Sequence, residues 1–325
     1  WTARSRRIMH MEGGHPASRV LNFSHGLPSK DDAATAAFYT ASGAFHAPED
    51  ATHIDYQYKA GGLFCMVCDG HCGWTAAAHV ASALPAMVAH AISKVVGSAM
   101  PEEQEHDVQG AFLRAFHEAD AQCNDIGHGA GTTAAVVWLR AGGRYTAAWA
   151  GDTAVLCVHG DGRSEWISTL HRVSNSGEKL RLQQEACPVE IGRVRGISAV
   201  TRSLGDSGIH PAVVSTPEVV HGCVHGVAAF LVLSDGVHDV LSKDQIGDLA
   251  LSALQVDDAH LPTLNDQVCA RQGVSATAVQ GADASTRLAV VIAKRVADAA
   301  VEAGSLDDVT AVAVLPPALP THALA

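Results

Sequence analysis

The sequence predicts a single α+β sandwich, on three observations. Short β-prone runs are separated by pairs of helical segments rather than alternating with single helices. No internal repeat or flexible linker divides the 325 residues, and 47% of them are hydrophobic, enough to bury a sizeable core.

Residues 1–19 are basic and His-rich without a repeating apolar pattern and read as a peripheral segment. Residues 20–316 read as one domain, and the proline-broken 317–325 as a tail. Stretch 24–40 is turn-like and then apolar, while 47–62 is polar, ends in a glycine pair and reads as a loop or insertion. The run "GLFCMVCD" (62–69) suits a buried strand, and the alanine-rich 74–96 has helical periodicity. Apolar residues at 108, 111, 112, 115, 116 and 119 make one face of a second helix over 103–125. From 131 to 168, Gly-Asp and Asp-Gly turn signals between β-prone runs predict an antiparallel meander. A helix-capable stretch (175–185), an apolar strand (228–236), helical segments around 243–254 and 285–301, and a last strand (309–316) complete the order.

Twenty-two basic against 34 acidic residues leave a formal charge of −12, with no Lys/Arg-rich run to track phosphates. Nucleic-acid binding is disfavoured; divalent cations or basic partners are favoured. Eight scattered cysteines read as free thiols in a reducing, intracellular compartment, cytoplasmic or nuclear. The chain begins at Trp1, so targeting is left unread. No apolar, uncharged stretch of about 18 residues is read in the chain, so no membrane span is expected, and a monomer is expected.

Four aspartates share one grammar, an apolar strand-like run followed by an acidic turn: Asp69 in "VCDGH", Asp152 in "WAGDT", Asp235 in "VLSDG" and Asp307 in "GSLDD". Strand ends facing one way would bring them together. Carboxylates and backbone carbonyls suit Mg²⁺ or Mn²⁺, and Gly70 beside Asp69 lets its own carbonyl approach an ion. Two ions about 3.5–4 Å apart would lower the pKa of a water and neutralise charge on a phosphoryl group, with no covalent intermediate. A competing zinc or redox reading of Cys65, Cys68, Cys72 and His71 suffers from strand alternation, which puts 65 and 68 on opposite faces. It also lacks a second Cys-x-x-Cys.

The ordered motifs "VCDGHCG" (67–73), "GTTAAVVWL" (131–139), "WAGDTAVLCV" (149–158), "TLHRV" (169–173), "GEKLRLQ" (177–183), "ISAVTRSLGD" (197–206), "STPEV" (215–219), "LVLSDGVHDVLS" (231–242) and "SLDDVTAVAV" (305–314) resemble the metal-dependent type 2C serine/threonine protein phosphatases. The resemblance implies a four-layer α-β-β-α sandwich, two antiparallel sheets flanked by helix pairs, with 20–316 as the catalytic domain. It implies a binuclear Mg²⁺/Mn²⁺ centre that hydrolyses phosphoserine and phosphothreonine in protein substrates through a metal-activated water. Asp69 then bridges both ions, the Gly70 carbonyl binds one, and Asp235 and Asp307 hold the other. Asp152 matches the aspartate of a third, weaker site in some members. His71 takes the position of the general acid, while Asp206 and Asp239 match positions that act through outer contacts or fix loops.

The family usually opens with an arginine that grips substrate phosphate, then an acidic pair that completes a metal shell. Asp31-Asp32 is the better candidate for that pair, which puts Leu27 at the arginine position with Lys30 nearby; the rival uses Glu12 with Arg7. Asp308 stands where asparagine is usual, His238 where an aromatic such as tryptophan is usual, and Thr153 where serine is usual. The missing arginine keeps a second reading open, a weak or inactive phosphatase-like domain that serves as a binding scaffold.

Overall fold

The computed structural model describes residues 19–21, 34–43, 47–56, 58–95, 101–126, 129–255 and 284–317. Strands β1 (Arg19–Leu21), β2 (Thr35–Ala41), β3 (Ala51–Asp55), β4 (Leu63–Cys68) and β5 (Gly70–His71) precede helices α1 (Thr75–Ser93) and α2 (Pro101–Ile126). Then come β6 (Gly131–Thr132), β7 (Ala134–Arg140), β8 (Arg144–Ala150), β9 (Ala154–His159), β10 (Ser164–Trp166) and α3 (Ser176–Gln184). They are followed by β11 (Val189–Glu190), β12 (Arg193–Val194), β13 (Leu204–Gly205), β14 (Glu218–Cys223) and β15 (Val227–Leu233). The described chain closes with α4 (Asp235–His238), α5 (Lys243–Leu254), α6 (Ala284–Glu302) and β16 (Val309–Leu315).

Two antiparallel sheets stack, one ordered β1-β2-β16-β15-β9-β10 and the other β14-β8-β7-β4-β3. Alternation within each strand decides the layers. In β2, Ala37 and Tyr39 face a core shared with α5 and α6, while Ala36 and Phe38 face the opposing sheet. In β4, Phe64, Met66 and Cys68 pack under α1 and α2, while Leu63, Cys65 and Val67 enter the inter-sheet core. The result is the four-layer α-β-β-α sandwich. The predicted face of α2 is the buried one, with Val108, Ala111, Phe112, Ala115, Phe116 and Ala119 all in the core.

Three expectations are corrected. Residues 51–55, read as part of a loop, form β3, which pairs with β4 from Ala51 opposite Cys68 to Asp55 opposite Phe64. The predicted meander is broken: β7 and β8 pair, but β9 crosses to the other sheet and pairs with β15. A Gly-Asp turn reads alike in sequence whether it closes a hairpin or bridges two sheets. Finally, α1, with 19 residues, is long and apolar enough by composition to cross a membrane. In this structure its face from Ala76 to Ile92 packs on β4 and α2.

Candidate active site

Antiparallel pairing puts the ends of β4 and β15 at the same end of the sandwich as the starts of β3, β9 and β16, because Ala51 faces Cys68 and Leu233 faces both Ala154 and Ala311. Asp69, Asp152 and Asp235 follow β4, β8 and β15 as the shared grammar predicts, whereas Asp307 departs from it, following α6 and preceding β16; the pairing still brings all four to one place. The Asp235 N–H donates to Asp69 Oδ2 at 3.3 Å. The Asp69 carbonyl accepts the Thr133 N–H at 2.8 Å and the Thr132 hydroxyl at 2.9 Å, which fixes the loop. At Gly70 a Cβ would lie 2.5 Å from the Glu49 carbonyl oxygen, so the close approach of β3 admits only glycine.

The carboxylates repel one another in low dielectric. Burial, then the charges of Asp50, Asp235, Asp152 and Asp307, push the Asp69 carboxyl well above its usual range. Burial and the charges of Asp152, Asp307 and Asp239 raise Asp235 to about 6, against the opposing pull of Arg172. Asp307 itself is exposed at the mouth.

The sequence reading missed an acidic pair here. Glu49 and Asp50 immediately precede β3 and stand beside Asp69. Asp50 is pushed up by burial and by Asp308, and its Oδ2 is buried without a hydrogen-bond partner among the described residues. Glu49 Oε1 accepts the Gly73 N–H at 2.7 Å. Asp308, the departure from asparagine, holds the pair: its Oδ2 accepts the Glu49 N–H at 2.6 Å and the Asp50 N–H at 3.4 Å. The available signal was Glu-Asp directly before the β-prone "ATHID", with Asp50 nineteen residues ahead of Asp69 (69 − 50). Asp31 and Asp32 lie outside the described residues, as do Leu27, Lys30, Glu12 and Arg7.

A fixed cation flanks this cluster. Arg172 Nε donates to Asp152 Oδ2 at 2.7 Å, Nη1 to Asp239 Oδ1 at 2.8 Å, and Nη2 to Asp235 Oδ2 at 3.3 Å. Burial acts to raise the Asp239 carboxyl, but hydrogen bonds from His238 and Arg172 bring it to about 2. His238, in place of an aromatic, bonds the Asp152 carbonyl at 2.9 Å and meets Trp166 edge-on.

His71 leaves β5 toward Asp206, with Nε2 2.8 Å from Oδ2. Burial disfavours protonation, yet the hydrogen bond and charge of Asp206 prevail and raise the His71 pKa above 6.5. Asp206 is lowered in turn: burial would raise it, but His71 and the Ser203 hydroxyl stabilise its charge. The pair needs Gly131 beside it, where a Cβ would sit 2.3 Å from His71 Nε2. The thiols divide otherwise, with Cys65 in the inter-sheet core, Cys68 under the helices and Cys72 exposed.

Clustered oxygen donors, one of them buried and unsatisfied, and repulsion that a cation would relieve fit hard divalent ions. The family model for protein phosphatase 2C matches residues 38–308. "Probable protein phosphatase 2C 2" of Arabidopsis thaliana is 30% identical over 190 residues, 57% of this chain and 48% of the relative. "Probable protein phosphatase 1N" of Mus musculus is 32% identical over 211 residues, 61% of this chain and 50% of the relative. The chain thus spans about half the length of the curated relatives it matches. The crystal structure of serine-threonine phosphatase 2C from Toxoplasma gondii has the same fold, with a TM-score of 0.67 at 19% identity, covering 92% of this chain and 98% of that one.

Proposed function

This chain belongs to the protein phosphatase 2C family, and from that premise we propose that it hydrolyses phosphoserine and phosphothreonine esters in phosphorylated protein substrates with two Mg²⁺ or Mn²⁺ ions. The observation that carries the reading is the half-buried set Asp50, Asp69 and Asp235, each raised by burial and by neighbouring carboxylates, with Asp50 and Asp235 both bearing on Asp69. Asp69, Glu49, Asp50, Asp235, Asp307 and the Gly70 carbonyl would hold the ions. When bound, the ions supply charge neutralisation at the phosphoryl group and a more acidic water.

The chain's own residues do the rest. Asp206 engages His71 through Nε2 and keeps the imidazolium stable, which leaves Nδ1 as the atom that gives its proton to the departing serine or threonine oxygen. Asp308 holds the Glu49 and Asp50 backbone against the cluster. Arg172 restrains Asp152 and Asp239, so these two carboxylates are pre-oriented by a guanidinium fork.

Release of phosphate from phosphoserine and phosphothreonine peptides tests the proposal. Turnover should require Mn²⁺ or Mg²⁺, stop in EDTA and fall to background in Asp69→Ala. Tight Mn²⁺ binding by the wild type without any turnover would instead favour the scaffold reading.

A further inference from the structure

At the far end of β9 from the carboxylates, Cys157, His159 and Glu165 converge on one face of the β9-β10 hairpin. Cys157 pairs with Glu165 across the strands, and His159, two residues on, shares its face. Leu156 and Val158 point the other way, into the core under α5 and α6. Cys157 Sγ lies 3.6 Å from His159 Nε2, which lies 2.9 Å from Glu165 Oε1. The three donor atoms fall within 4.8 Å of one another.

From this geometry we propose that Cys157, His159 and Glu165 form a zinc site, with water as the fourth ligand. Zn–S of about 2.3 Å and Zn–N of about 2.0–2.1 Å at a tetrahedral angle imply an S···N edge of about 3.5 Å, and the structure has 3.6 Å. The N···O edge of such a site is about 3.3 Å, so an ion lengthens the His159–Glu165 contact by a few tenths of an ångström through side-chain rotation. Thiolate and imidazole are soft donors that select Zn²⁺ over Mg²⁺ or Mn²⁺, the reverse of the all-oxygen cluster.

Access is graded. The Glu165 side chain is 58% exposed and that of His159 13%, whereas Cys157 is buried at 2%, so an ion enters past the carboxylate. Burial pushes the Cys157 thiol to about 12, so binding replaces a proton: Zn²⁺ takes the S–H electron pair as a thiolate bond and one proton leaves to solvent. The ion would clip β10, a three-residue edge strand, to β9. Asp152 precedes β9 and His159 ends it, about 20 Å apart at the usual strand rise, so the site stands apart from the phosphatase reading.

Titration of the metal-stripped full chain with Co²⁺, a spectroscopic substitute for zinc, tests this. A thiolate-to-cobalt charge-transfer band should grow in to about one equivalent and be displaced by Zn²⁺. Cys157→Ser should abolish it, and Cys187→Ser should leave it intact. Glu165→Gln, exposed and harmless to folding, should weaken binding by more than the roughly tenfold typical of losing an outer-shell partner, with Mn²⁺-dependent hydrolysis unchanged. A band that is absent in the wild type, or that persists in Cys157→Ser, overturns the proposal.

Discussion

Asp308 Oδ2 accepts the Glu49 backbone N–H at 2.6 Å, across 259 positions of sequence, while its Oδ1 accepts the Gly43 N–H at the same distance. Both oxygens are therefore acceptors with donors aimed at them. Asp308→Asn would point an NH₂ group at one of those N–H groups and leave it unsatisfied, at a cost of about 1–3 kcal/mol. Chemical denaturation should show that loss, and Mn²⁺ affinity should fall with it because Glu49 and Asp50 lose their anchor. Unchanged Mn²⁺ affinity would mean that Asp308 does not position the pair.

Arg172 places one guanidinium among Asp152, Asp235 and Asp239. Arg172→Ala leaves these carboxylates uncompensated, at a cost below the roughly 3–5 kcal/mol of a fully buried pair, because Arg172 and Asp239 are partly exposed and screened by water. The deficit should be largest in EDTA and shrink in saturating Mn²⁺, because added cations take over the neutralisation. Unfolding midpoints in the two conditions measure this; an equal loss in both would show that the cluster's repulsion is not what Arg172 relieves.

Gly131 guards the His71–Asp206 pair, since a Cβ there would lie 2.5 Å from Asp206 Cγ as well as 2.3 Å from His71 Nε2. Gly131→Ala should lower kcat by about 10²-fold, the scale of a lost general acid, while Mn²⁺ affinity stays as in the wild type. Parallel loss of both would point to collapse of the site rather than of proton donation.

Glu178 supplies the pH dependence. Burial would raise its pKa, but hydrogen bonds from Arg202 and Thr201 and the charges of Arg202 and Arg181 bring it down from 4.5 to about 2. The folded pKa is the depressed one, so its stabilisation is full above 4.5 and is lost as pH falls toward 2. Glu178→Gln should cost about 3 kcal/mol near neutral pH, and the gap to wild type should close below pH 4.5. Urea unfolding across that range checks it; a gap that stays constant would remove the ionised carboxylate from the explanation.

The layers were legible because periodicity reports them directly: α2 shows its buried face in the spacing of Val108, Ala111 and Phe112, and β4 its apolar run. The strand-then-aspartate pattern located Asp69, Asp152 and Asp235 because a strand must end where its turn begins; Asp307 follows α6 and precedes β16, so that pattern does not describe it. Glu49 and Asp50 escaped because β3 is half-buried along its whole length and so lacks the alternation that marks a strand. The crossing of β9 escaped because local turn chemistry carries no information about which sheet receives the next strand. The partnerships of Arg172 with Asp239 and of His71 with Asp206 span 67 and 135 positions, and only the assembled sandwich sets them.

If the carboxylates gathered around Asp69 hold divalent ions, the metal-stripped chain should take up Mn²⁺ there. Equilibrium titration of the metal-stripped chain with Mn²⁺, read from the electron paramagnetic resonance of the free ion, tests it most directly. About two tightly held ions are expected in the wild type, and loss of that tight binding in Asp69→Asn, since the charges of Asp50, Asp235, Asp152 and Asp307 all bear on Asp69. Identical stoichiometry and affinity in the two proteins would contradict it.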